Sequence, residues 1–108
     1  MPSYLFQVSY TGDSWATQIK NPVNRAEQIG AIIEATGGKL ESFHYAFGEY
    51  DVILIVTFPD NQSAAALSLA AAAGGAVKSL KTTPLMTAEE GIEAIKKAGG
   101  TGYRPPGG

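Results

Sequence analysis

The chain has 108 residues, a net charge of -2 and a sequence pI near 5.2, with 44% hydrophobic and 17% charged residues. That is the length of one domain able to bury a core, and its 8 Lys and Arg are too scattered to form the clustered basic surface that nucleic-acid phosphates require. Cysteine is absent, which excludes disulfides, thiolate nucleophiles and Cys-based zinc sites.

The opening MPSYLFQVSY lacks the positive flank and long apolar run of a signal peptide. No run of about 18 apolar residues occurs, so no membrane span is expected. The expected setting is cytoplasmic, with neither a membrane nor nucleic acid as partner.

Tyr4, Phe6, Val8 and Tyr10 alternate with Leu5, Gln7 and Ser9, the period of a strand. TGDS then interrupts it, which places Trp15 and Lys20 in a loop. Asn21 as cap, Pro22 as first helical residue and Gly37 as stop bracket a helix with Ala26, Ile29 and Ile33 on one stripe. KLESFHYAF predicts a second strand. Its alternation sets Leu40, Ser42, His44 and Ala46 on one face and Glu41, Phe43, Tyr45 and Phe47 on the other. A very tight turn at Gly48-Glu49 leads into YDVILIVTF, apolar at nearly every position as in a central strand covered on both sides.

Pro59 ends that strand, and Asp60 can cap an Ala-rich helix closed by Gly74-Gly75. AVKSLKTTPLM predicts a fourth strand with Pro84 near an edge. Thr87 and Glu90 have capping-box spacing ahead of a last helix, AEEGIEAIKKA, acidic early and basic late. Residues 99–108, rich in Gly and Pro, have the composition of a flexible tail, leaving 1–98 as the domain.

The predicted order is β-α-β-β-α-β-α. The echo of GGKLES at Gly37 in GGAVKS at Gly74 divides it into two halves. This points to an α+β class, a ferredoxin-like βαββαβ fold with an extra C-terminal helix. Two helices cover one face of such a sheet. The apolar residues of the other face need a partner, so a homo-oligomer packing as a dimeric α/β barrel is expected.

GGKLESFHYAFGEYDVILIVTFPD resembles the GYD-domain family, whose signature stands here as Gly48-Glu49-Tyr50-Asp51. YLFQVSYT followed by IKNPVNR resembles that family's opening, and the resemblance runs from about Tyr4 to Ala98. It implies the dimeric α/β-barrel type of fold and does not imply a reaction.

No catalytic constellation stands out. Gly37-Gly38-Lys39 lacks phosphate-loop spacing. One His, no thiol and dispersed carboxylates argue against a transition-metal site, and no cofactor is expected. His44 is the sharpest catalytic candidate, a lone imidazole sharing a face with Ser42 and near Gln7 and Ser9. It reads either as a general base or as a hydrogen-bonded structural histidine. Tyr50 and Asp51 read either as a phenol and carboxylate at a cleft rim or as turn chemistry, with Gly48 supplying a positive φ. Tyr10, Trp15 and Lys20 place aromatic rings and a cation where they could grip a ligand or pack. Three functions remain open: a small-molecule binding module, a cofactor-independent monooxygenase or isomerase using His44, and a structural homo-oligomer.

Overall fold

The computed structural model describes residues 1–107. Its elements run β1 (Ser3–Tyr10), α1 (Gly12–Lys20), α2 (Arg25–Ala35), β2 (Lys39–Tyr45), β3 (Val52–Thr57), α3 (Asn61–Ala73), β4 (Val77–Leu85) and α4 (Ala88–Gly99). The strands form one antiparallel sheet in the order β2-β3-β1-β4. This α+β arrangement is compatible with the ferredoxin-like fold. The final helix takes in Gly99, and residues 100–107 are exposed and form neither helix nor strand.

The helix α1 replaces the predicted loop. The hydroxyl of Thr11 accepts from the Ser14 N–H, Asp13 lies in the first turn and Lys20 in the last, so the caps and end charges suit the helix dipole. The next helix starts later than predicted: Asn24, not Asn21, caps it by accepting from the Glu27 N–H. Asp60 caps α3, and Thr87 with Glu90 forms the capping box of α4, both as read from the sequence. Bonds from these caps hold the Asp60 and Glu90 carboxyls below the usual range.

Side chains on one face of the sheet form the core. Tyr4, Phe6, Val52, Leu54, Val56 and Phe58 are buried there, joined by Ile33 of α2 and Ala64 of α3. Phe58 meets both Tyr4 and Phe6, tilted to the first and edge-on to the second. Gly38 is required where it stands: a Cβ there would lie 2.6 Å from the Thr57 carbonyl and 2.7 Å from the Phe58 ring. Gly37, at φ +87°, ends α2 in the left-handed region as expected.

A single bulge changes the predicted faces of β2. Leu40 pairs with Val56 and Ser42 with Ile55, so Glu41 has no partner in the register. Leu40 therefore joins Phe43 and Tyr45 on the helix side, and Ser42 and His44 alone keep the opposite face. Phe47, predicted to be core or interface, lies past the strand end and is fully exposed. The turn is also longer than predicted: the Ala46 N–H donates to the Asp51 carbonyl across residues 47–50, and Gly48 is not in the left-handed region.

The second face of the sheet is open in the single chain. Register places Leu5 between Ile55 and Thr83, Gln7 between Ile53 and Lys81, and Ser3 between Thr57 and Leu85. Leu5, Ile53, Ile55 and Leu85 are half-buried at best. The radius of gyration is 17.3 Å, against roughly 13 Å for a compact chain of this length. The excess reflects α4, none of whose residues is buried and whose Ile92 and Ile95 are exposed. Among the described residues, no helix is long and apolar enough to cross a membrane.

Candidate functional site

The GEYD turn is fastened to the end of β1. The Ser9 hydroxyl donates to the Glu49 carbonyl at 2.8 Å, and the Asp51 N–H donates to the Val8 carbonyl at 2.8 Å. The Asp51 carboxylate accepts from the Tyr10 N–H at 2.8 Å and from the Trp15 indole N–H at 3.3 Å. One side chain thus ties the turn, the first strand and α1 together. Of the two readings of Asp51, cleft-rim carboxylate or turn chemistry, this bonding resembles the second, although the amide it holds belongs to β1 and not to its own turn. Charge-assisted bonds of this kind are among the stronger ones in a small domain.

Aromatic rings assemble around the clasp. Trp15 packs edge-on to Tyr10 with centroids 5.4 Å apart and tilts against Tyr45 at 6.5 Å; Tyr45 in turn meets Phe43 at 5.4 Å. Of the five predicted ligand-binding residues, Tyr10, Trp15 and Asp51 are brought together. Tyr50 is half-buried in the turn beside them. Lys20 is not part of the group: five residues beyond Trp15, it lies about 140° around α1 and is exposed.

An apolar cavity of about 70 Å³ opens on the helix side of the sheet, between the strands and the helices α2 and α3. Phe6, Val8, Phe43, Leu54, Leu67 and Leu80 form much of its wall, and Tyr10 and Arg25 bring polar groups to it. Tyr10 and Arg25 also line an adjoining cleft of about 360 Å³ between α1 and α2, with the polar Ser14, Gln18 and Asn21 and the apolar Val23 and Ala76. The two spaces therefore meet at one phenol and one guanidinium. Burial pushes the Tyr10 phenol up, and the facing guanidinium draws it partly back. Its hydroxyl is accordingly protonated at neutral pH and available as a donor.

His44 is elsewhere. It pairs with Ile53 on the open face, is exposed, and shares its row with Gln7 two strands away. The sheet itself separates it from the cavity. Among the described residues, no group of three His, Cys, Asp or Glu side chains lies close enough to hold a metal ion.

Reading the sequence alone missed Arg25 and the cavity wall. Arg25 stands in a segment dominated by helix punctuation, and its only unusual feature is a cation in a first helical turn. The wall residues look like ordinary core positions, because a cavity arises from how helices sit on a sheet and leaves no mark on residue type.

The GYD domain family model matches residues 4–95, most of the chain and the segment that carries GGKL, GEYD and the strand ending in Pro59-Asp60. Among curated proteins, none matches the chain.

Proposed function

This chain belongs to the GYD domain family, and from that premise we propose that it is a small-molecule binding module whose site is the cavity between the sheet and the helices α2 and α3. The observation that carries the reading is the meeting of an apolar cavity with a wider, mixed cleft at the polar groups of Tyr10 and Arg25. Binding sites are commonly apolar hollows with a few convergent polar groups. Filled cores ordinarily leave few voids larger than a water molecule. At about 70 Å³ the cavity is smaller than the ~150 Å³ apolar cavity that accepts benzene. A single ring or short alkyl chain would enter with one end left in the mouth, where the polar groups stand.

A neutral ring-sized probe tests this. Millimolar benzyl alcohol should raise the melting temperature of the wild-type protein. Ala71→Leu, which adds side-chain volume at the cavity wall, should remove most of that rise. No shift in the wild type, or an equal shift in the variant, would contradict the assignment.

A second reading, homo-oligomerisation, is favoured by a separate observation. The open sheet face carries Leu5, Ile53, Ile55 and Leu85, and the projecting α4 carries Ile92 and Ile95 with 52% and 73% of their surfaces exposed. Unpartnered apolar surface on two elements of one small chain calls for cover, and a second copy offers matching surfaces for both. The general-base reading of His44 belongs to this assembly, since only a partner would remove its exposed imidazole from water. Sedimentation velocity at micromolar concentration should give a dimer or larger species, and Ile95→Glu should weaken it. A stable wild-type monomer would end this reading and leave the binding module untouched.

A further inference from the structure

Arg25 is in an unusual position for a cation. It is the first residue of α2, where the helix dipole is positive and a positive side chain is disfavoured. The other end charges in the chain follow the rule: α1 has Asp13 early and Lys20 late, and α4 has Glu89 and Glu90 early and Lys96 and Lys97 late. Glu27 shares the first turn of α2 with Arg25, but residues two apart point to different sides of a helix, and no ion pair joins them among the described residues. The guanidinium instead donates to the neutral Gln28 side chain at 2.9 Å. Arg25 is half-buried as a residue, and its bond to Gln28 lies at the exposed side of the helix end.

The nearest acid of the clasp does not compensate. Asp51 accepts from the Tyr10 N–H and the Trp15 indole and lines neither the cavity nor the cleft. Among the described residues the partners of this cation are neutral, the Gln28 side chain and the Tyr10 hydroxyl, and it stands at the disfavoured end of a helix and at the mouth of an apolar cavity. Such departures mark places where a sequence serves a ligand in preference to stability.

We propose that the ligand is a small organic carboxylate, with its apolar ring or short chain in the cavity and its carboxylate on Arg25 at the mouth. The planar guanidinium presents a fork that matches a carboxylate in a way a point-charge ammonium does not. The Tyr10 hydroxyl, protonated at neutral pH, supplies a second donor beside it. The first N–H groups of α2 add a favourable potential for a negative charge. This inference rests on the cavity being the binding site, and it adds the charge and shape of the head group.

The test compares benzoate with benzyl alcohol, equal in ring and differing in charge, on the full chain. The single Trp15, packed edge-on to Tyr10, reports binding by its fluorescence, and isothermal calorimetry checks the affinities. Benzoate should bind about tenfold or more tightly than benzyl alcohol, as expected for a hydrogen bond to a charged group. Arg25→Met, which keeps an apolar stem, should erase that preference, so that benzoate and benzyl alcohol bind the variant with similar affinity. Equal wild-type affinities, or a benzoate preference that survives in Arg25→Met, would overturn the carboxylate assignment and leave the cavity reading standing. Binding of neither probe would overturn both.

Discussion

On the helix side of the sheet, Val52, Leu54 and Val56 of β3 are buried; on the other side, Ile53 and Ile55 of the same strand are only half-buried. The residue types are almost the same, and what differs is the cover. Ile33 of α2 and Ala64 of α3 reach the first face, while among the described residues α1 and α4 contain no buried residue. The covered face holds the core and the cavity with Arg25, and the open face holds His44. A strand apolar on both sides therefore states a demand for cover without saying which part of the molecule, or which other molecule, supplies it.

The largest expected difference between the faces is in the core. Phe58 is fully buried against Tyr4 and Phe6. Phe58→Ala should cost about 3–5 kcal/mol in urea denaturation. Ile55→Ala, on the open face, should cost less than half as much when measured on dissociated chains. Equal losses would show that the second face is covered within one chain.

Next in size is the clasp. Asp51→Ala removes the acceptor shared by the Tyr10 N–H and the Trp15 indole, and should destabilise by about 1–3 kcal/mol. Trp15 emission should shift as the indole loses its partner. Unaltered stability together with lost ligand binding would move Asp51 from the scaffold to the site. Smallest is the imidazole: His44→Phe, at an exposed position, should change chain stability by no more than about 0.5 kcal/mol. It should leave benzoate affinity unchanged, because the sheet lies between them. A marked loss of affinity would place the site on the open face.

Much of this architecture was legible in residue order. Alternation located β1 and β2, an unbroken apolar run located β3, and Asp60, Thr87 with Glu90, Gly37 and Gly74-Gly75 marked helix ends through capping chemistry that acts over three or four residues. The missed helix α1 has a cap in Thr11 and an acid, Asp13, in its first turn, but its 9 residues are too few to display a helical period. The bulge at Glu41 was invisible because a register shift depends on the neighbouring strand. For the site, Tyr10, Trp15 and Asp51 were recognisable as chemistry-bearing residues, and their union follows from contacts 36 to 41 residues apart. Arg25 became conspicuous only when its missing partner and the cavity beside it could be seen together.

Where a bound molecule perturbs the backbone decides between the two faces most directly. In an amide ¹H–¹⁵N titration with benzoate, the changes should centre on Val8, Tyr10, Arg25, Phe43 and Leu67, with Ile53, Ile55 and His44 weaker at every concentration. Changes centred instead on His44, Ile53, Ile55 and Gln7 would place the ligand on the open face and contradict the account.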